Sequence, residues 1–303
     1  MRYLRRMNPT RRAYLELHLA VLLYGFTAIL GDLIELSALV LVWWRVMIVT
    51  ATLFFVVRAV RLIRALPRQL LWQFAGVGIL VGLHWLCFYG SIKLANASIS
   101  LITMATTSFF TALLEPLFFR RKIRYLELLL GLLIVPGMML IARGADPSMY
   151  AGIVVGLLSA LLAASFSVFN KMLIDRAEPL QITFLELGSA WLFLCCILPF
   201  VFLQQEDLTL LPTARDLGLL LVLALLCTIL AYWLNLRALK HLSAFASTLT
   251  INLEPVYGIL LAVVLLKEHQ ELGTEFYWGG LLILASVFAY PVLERRFGTS
   301  KSG

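Results

Sequence analysis

Apolar residues run through this chain in long blocks, separated by short polar turns. A helix rises 1.5 Å per residue, so about 20 apolar residues cross the hydrocarbon core of a bilayer. Windows of that length predict ten spans. The first five are Tyr14–Leu33, Ala38–Val57, Leu70–Gly90, Ala97–Phe119 and Tyr125–Ala142. The second five are Met149–Asn170, Leu180–Leu203, Asp216–Leu236, Ala244–Leu266 and Phe276–Leu293. In lipid the backbone must satisfy itself within the segment, so each block reads as a helix. The alternating apolar-polar strands of a membrane barrel are absent from the sequence. The expected fold is an all-α polytopic membrane protein of ten transmembrane helices. Composition agrees. The chain is 61% hydrophobic and 14% charged, against about 45–50% and 25% in soluble domains.

The net charge of +8 would suggest a nucleic-acid surface on a soluble protein. Here the cations sit in turns, and membrane topology accounts for them, so no nucleic-acid partner is expected. One side collects Arg2, Arg5, Arg6, Arg11, Arg12, Arg58, Arg61, Arg64, Arg68, Arg120, Arg121, Lys122 and Arg124. The same side takes Lys171, Arg176, Arg237, Lys240, Arg295, Arg296 and Lys301, leaving Lys93, Arg143, Arg215 and Lys267 opposite. The positive-inside rule makes the arginine-rich side cytoplasmic, with both termini inside. Asp32, Glu35, Glu206, Asp207, Glu268, Glu271 and Glu275 then fall outside. The basic start reads as the flank of an uncleaved first span, since no small-residue cleavage site follows it. Cys87, Cys195, Cys196 and Cys227 all lie in apolar runs without metal-ligand spacing. They are expected to be small buried hydrophobes, with no disulfide, metal or other cofactor.

Ten spans divide into two units of five, residues 1–145 and 146–303. Five is odd, so the second unit enters the membrane from the opposite side, as in an inverted repeat. A shift of 147 positions pairs Lys93 with Lys240, Ala97 with Ala244, Ser100 with Ser247 and Thr103 with Thr250. Leu113-Leu114 then falls on Leu260-Leu261. Two residues further on in register, Gly131-Leu132-Leu133-Ile134-Val135 falls on Gly280-Leu281-Leu282-Ile283-Leu284.

This organisation resembles the drug/metabolite transporter superfamily, specifically its EamA type. In that pattern each half closes with a span opening on small residues, a mid-span Pro, a charged turn and a Gly-led last span. The second half carries Ser243-Ala244-Phe245-Ala246-Ser247, Glu254-Pro255, Lys267-Glu268 and Gly279-Gly280. The first half carries Asn96-Ala97-Ser98, but Ser108 stands at the Pro position and Arg120-Arg121-Lys122 lacks the usual Glu. An Arg in the second span, here Arg45, is also typical. The resemblance covers nearly the whole chain and rests on architecture more than on signature residues. It implies a secondary carrier of small organic solutes, often an exporter, working by alternating access in a bacterial inner membrane. Substrate and oligomeric state, monomer or homodimer, stay open.

A charge at the bilayer centre costs roughly 2.5–3.5 kcal/mol on insertion scales, so it needs a partner, a wet cavity or a role. Glu254 sits mid-span, and Pro255 cannot donate, which frees the carbonyl of Ile251. Thr250, Glu254 and Tyr257 share one helical face; Thr248 and Asn252 share an adjacent one. Glu254 either faces a central cavity or is paired within a kinked helix. Arg45 suits a carboxylate or phosphate ligand, or pairs with a buried acid such as Glu186. Trp85 is a candidate for stacking on a cationic solute, with His84 beside it and Tyr232 and Asn235 as counterparts in span eight. The bland readings are a packed core for His84 and an outer aromatic belt for Tyr89. Tyr24, Gly25, Ser165 and Ser167 are weaker candidates. Glu115-Pro116 lies near Arg120-Arg121 and reads as a gate or salt bridge. Glu16 and His18 read as snorkelling groups, and Gly78-x-x-x-Gly82 as a packing motif.

The expected activity is therefore transport of an amino acid or amine-like solute, with export favoured and Glu254 a candidate for proton coupling. An uptake carrier for a nucleoside or quaternary amine is the alternative. An embedded enzyme is disfavoured. No phosphate loop, His-Glu-x-x-His or aspartate-rich motif occurs. No repeated pore loop of a channel is visible either.

Overall fold

The computed structural model describes residues 8–120, 122, 125–132, 134–204, 209–266 and 273–297. Arg2, Arg5, Arg6, Arg121, Arg124, Glu206, Asp207, Lys267, Glu268, Glu271 and Lys301 lie outside them. The described chain is helical and contains no strand among these residues. The helices are α1 (Pro9–Leu33), α2 (Ala38–Val56), α3 (Ala59–Ala65), α4 (Arg68–Leu94), α5 (Ala97–Met104), α6 (Thr107–Phe119), α7 (Tyr125–Leu132) and α8 (Ile134–Gly144). They continue as α9 (Tyr150–Leu173), α10 (Pro179–Gln204), α11 (Ala214–Ala224), α12 (Ala231–Leu239), α13 (Ala244–Ile251), α14 (Glu254–Leu265) and α15 (Thr274–Phe297). A π-helical turn, Leu225–Leu230, joins α11 to α12.

Among the described residues, seven stretches are helical, long and apolar enough to cross a membrane: Pro9–Leu33, Ala38–Val56, Arg68–Leu94, Ala97–Phe119, Pro147–Leu173, Pro179–Leu203 and Ala214–Leu239. Phe55, Trp72, Phe200 and Leu203 are exposed on the outer surface, as a lipid-facing wall requires. Cys196 is exposed too. That corrects its reading as a buried residue, since its face of α10 turns outward.

The core forms where α4 packs on α9 and α10, and α10 on α2; α1 lies against α12 and α14, and α15 against α8. Glycines set how closely these helices approach. A Cβ on Gly78 would meet the Glu186 carbonyl oxygen at 2.1 Å, and one on Gly82 would meet the Ala190 Cβ at 3.3 Å. The Gly78-x-x-x-Gly82 face therefore seats α4 directly on α10. Gly25, taken from the sequence as a site candidate, is a crossing point instead. A Cβ there would lie 3.2 Å from the Tyr257 Cβ of α14.

Polar contacts gather the helix ends into two groups. At one end Glu16 receives Arg12 at 2.8 Å and Arg237 at 2.7 Å, Lys171 Nζ donates to the Leu239 carbonyl at 2.7 Å, and Lys240 lies 3.9 Å from Glu178. Glu16 is thus a clamp between α1 and α12, which corrects its reading as a snorkelling group. At the other end Lys93 Nζ donates to the Ile34 carbonyl at 2.8 Å, and Asp216 accepts the Glu35 N–H at 3.2 Å.

Two helices are broken in matching places. α5 gives way to α6 at Ala105-Thr106, and α13 to α14 at Asn252-Leu253. Ala105 and Asn252 are 147 positions apart, the shift found in the sequence. At each break the backbone tightens to three-residue bonds: Thr106 N–H to the Thr103 carbonyl, and Leu253 N–H to the Thr250 carbonyl. The starts are capped alike, by Asn96 Oδ1 accepting the Ile99 N–H at 2.9 Å and by Ser243 Oγ accepting the Ala246 N–H at 3.0 Å. The second break carries Pro255; the first has none. There Thr103, Thr106 and Thr111 hydroxyls donate to the Ser100, Thr103 and Thr107 carbonyls, and such back-bonding bends helices.

The breaks touch. Asn252 Nδ2 donates to the Ala105 carbonyl at 3.0 Å and to Ser108 Oγ at 2.8 Å.

The glycine seat yields a paired test. Gly78→Ala should destabilise the purified protein by about 1–3 kcal/mol through overpacking. Gly76→Ala, where a Cβ meets nothing within 4 Å, should leave thermal unfolding unchanged. Equal melting behaviour of the two variants would refute the close α4–α10 contact.

Candidate functional site: a buried cavity between the broken helices

A cavity with about 80 Å³ open to the centres of water molecules lies among α1, α2, α4, α5, α6, α9, α12, α13 and α14. One water needs about 10–15 Å³ by that measure, so the space holds several. Of the sequence candidates, Tyr24, Arg45, His84 and Trp85 line it, together with Tyr232, Asn235 and Glu254. Thr250, Asn252 and Tyr257 do not. The helix break explains the difference. A continuous helix would put Thr250, Glu254 and Tyr257 on one face, but the interruption at Asn252-Leu253 re-registers α14. Tyr257 turns outward at 40% exposure. Thr250 Oγ1 donates back to the Ala246 carbonyl, and Asn252 is spent on the contact between the breaks.

Arg45 is buried at 1% exposure, and its position is heavily specified. Nε donates to Thr228 Oγ1 at 2.7 Å, and Nη1 donates to Tyr89 Oη at 2.8 Å. The guanidinium carbon lies 3.8 Å from the centroid of the Trp85 ring, a cation–π contact. Two expectations change here, those for Tyr89 and Glu186. Tyr89 is wholly buried on Arg45, not an aromatic-belt anchor. One face of Trp85 is covered by Arg45, while the residue still lines the cavity. Glu186 does not pair with Arg45; it takes Tyr232 Oη at 2.6 Å and Asn170 Nδ2 at 3.3 Å.

Thr228 reaches Arg45 because of the π turn. Its Oγ1 donates to the Leu223 carbonyl, five residues back, at 2.7 Å. π turns recur at functional sites, and nothing in the sequence reading marked this one. Thr27, Phe88, Met104, Thr107 and Phe166, none of them a candidate from the sequence, complete much of the lining. Thr107 carried a signal, since it stands 147 positions before Glu254 in the repeat.

Glu254 is 7% exposed and lines the same cavity as Arg45. Among the described residues no donor reaches its carboxylate and no ion pair joins it to Arg45. Its expected internal partner is thus not found in this conformation. His84 is both a wall and a fastener: Nδ1 lies 3.0 Å from the Ser159 carbonyl oxygen and 2.9 Å from Ser159 Oγ. Asn235 Oδ1 accepts from Ser247 Oγ at 3.1 Å, linking α12 to α13. Glu115, the gate candidate, lies elsewhere. Its Oε2 accepts the Phe245 N–H at 2.8 Å, at the start of α13.

The bundle of apolar helices around a charged, buried cavity is that of a multi-pass membrane transporter. The chain matches the EamA-like transporter family twice, over residues 11–143 and 150–290, and belongs to that family. It is 30% identical over 258 residues to the pseudopaline exporter CntI of Pseudomonas aeruginosa, covering 84% of this chain and 86% of the exporter. An uncharacterised transporter of Bacillus subtilis, YetK, is 26% identical over 232 residues, covering 71% of this chain and 69% of YetK. A crystal structure described only as that of a protein matches 95% of this chain and 99% of its own, with a TM-score of 0.66 at 17% identity. That likeness speaks to the fold alone.

The Arg45 mount is testable without a substrate. Thr228→Val leaves Nε without an acceptor and should lower stability by about 1–3 kcal/mol, read as a lower melting temperature. Thr228→Ser keeps the oxygen and should melt close to the parent protein. A valine variant as stable as the serine variant would contradict the assignment.

Proposed function

We propose that the chain exports a small amine- or amino-acid-like metabolite across a bacterial inner membrane by alternating access. In this reading ten spans form two inverted five-helix units, residues 1–145 and 146–303, with both termini cytoplasmic. The observation that carries it is the pairing of Arg45 and Glu254 on one buried cavity without an ion pair between them. A cation and an anion held apart suit a solute bearing both charges. Its carboxylate takes the remaining guanidinium donors of Arg45, and its ammonium takes Glu254. Aromatic and apolar walls from Tyr24, Phe88 and Phe166 receive the body of the solute. The exporter CntI, at 30% identity, favours the outward direction.

Rocking of one unit on the other then exposes the site to each side in turn. Glu115 acts as the gate. It sits in the first unit and caps the start of α13 in the second, so its bond breaks when the units part at that end. Glu254 also exchanges a proton as the site changes sides, coupling export to the proton gradient.

Counterflow in proteoliposomes with labelled amino acids, polyamines, nucleosides and quaternary amines tests this. Saturable exchange of a zwitterion is expected. Glu254→Gln and Arg45→Lys should each weaken it by about tenfold or more, equivalent to about 1.4 kcal/mol. Exchange indifferent to both changes would remove the charge-pair site, and indifference of Glu254→Gln to a pH gradient that drives the parent protein is the expected mark of coupling. A cysteine placed at Ser302 and another at Arg2 should both resist an impermeant maleimide on intact cells; labelling of only one would overturn the ten-span topology.

A further inference from the structure

Glu186 lies next to the cavity without lining it. It is fully buried, on α10, where Gly78 lets α4 come into contact with its backbone. Oε2 accepts Tyr232 Oη at 2.6 Å and Asn170 Nδ2 at 3.3 Å. Asn170 Nδ2 also donates to Tyr232 Oη at 2.9 Å, closing a triangle of three side chains from α9, α10 and α12. Tyr232 is the member that lines the cavity. Two polar atoms in this triangle, Glu186 Oε1 and Asn170 Oδ1, are buried without any hydrogen-bond partner. An ionised carboxylate so placed would be half-solvated by the protein and opposed by no cation.

The charged and titratable groups on the surrounding helices are otherwise engaged, apart from Glu254 of α14, which lines the cavity with Tyr232. Arg45 of α2 is held by Thr228 and Tyr89. Lys171 of α9 donates to the Leu239 carbonyl, and Arg237 of α12 pairs with Glu16. His84 of α4 is tied to Ser159. Just before α10 Glu178 stands near Lys240, and Tyr24 of α1 lines the cavity with Tyr232.

We propose that Glu186 is a proton-binding site, connected to the cavity through the hydroxyl of Tyr232. Uptake runs in one concerted step. A hydrated proton in the cavity passes to Tyr232 Oη, while Tyr232 passes its phenolic proton to Glu186 Oε2. The carboxylate becomes neutral and the tyrosine is unchanged. The 2.6 Å bond then reverses, with Glu186 donating and Tyr232 accepting. Tyr232 is left to donate into the cavity, so the proton decides whether the wall offers a donor to the solute. The use of this switch in transport rests on the carrier reading above; the proton site itself does not.

Infrared spectroscopy of the purified full-length protein, exchanged between water and deuterium oxide and titrated in pH, tests the site without any substrate. The expected result is a protonated-carboxyl component that shifts on deuteration, is lost in Glu186→Gln and persists in Glu254→Gln. Tyr232→Phe should move that component, because the carboxyl loses its partner. Spectra of Glu186→Gln that superpose on the parent protein across the pH range would overturn the proposal, as would an unmoved band in Tyr232→Phe. If Glu186→Gln does not fold, Tyr232→Phe decides alone. Should the band behave as expected while liposomes show no saturable exchange of any tested solute, the carrier reading fails and the proton site stands.

Discussion

The fold turns on a contact between two helix breaks. A backbone interruption inside a membrane leaves N–H and C=O groups that lipid cannot satisfy, so it survives only against protein or a wet cavity. Here each break is the other's shelter. Asn252, at one interruption, donates to the Ala105 carbonyl and to Ser108 at the other. That side chain ties the two breaks together where α5 packs on α14 and α6 on α13. The cavity opens beside that contact, with Thr107 on one broken helix and Glu254 on the other among its lining residues.

Around that contact the protein separates rigid from responsive chemistry. Arg45 is oriented by a hydroxyl, a phenol and an indole face. Such a mount keeps a guanidinium aimed within an apolar bundle, and the order it imposes is already in place before a ligand arrives. Glu254 is the reverse, a carboxylate facing the same space with its hydrogen-bonding capacity unspent. A site with one fixed and one unsatisfied charge discriminates by geometry at the first and by occupancy at the second. Glycine seats at Gly78 and Gly25 bring the flanking helices close enough to keep the space small.

Much of this was legible in the sequence because lipid imposes a simple period. Block length gave the helices of the described spans, and the 147-residue shift relates the two breaks once they are seen, although only the one beside Pro255 was expected. Seven of the ten proposed ligand contacts, Arg45 and Glu254 among them, do meet on one cavity. Face arithmetic failed at Thr250, Asn252 and Tyr257, because it assumed an unbroken helix through Pro255. Local spacing cannot show a change of register at a break whose hydrogen-bond partner lies 147 positions away. The first break was harder still, having no proline; its signal was the run of threonines and serines between Thr103 and Ser108, whose hydroxyls bond back onto the chain. Tertiary partners were the least visible. Tyr89, Thr228 and Glu16 acquire their roles from helices distant in sequence, and a single chain of letters does not list neighbours.

The π turn at Leu225–Leu230 has a consequence of its own. A wider turn accommodates an extra residue, and each residue in an α-helix advances the side-chain direction by about 100°. Everything downstream on α12 is therefore phased by that one insertion. Trimming a residue from the turn would leave a straighter helix whose Tyr232 and Asn235 swing off the cavity together, while its apolar character and length stayed the same. Two chains of equal hydropathy can thus differ in what they recognise by the presence of a single spare amino acid, far less conspicuous than a changed charge.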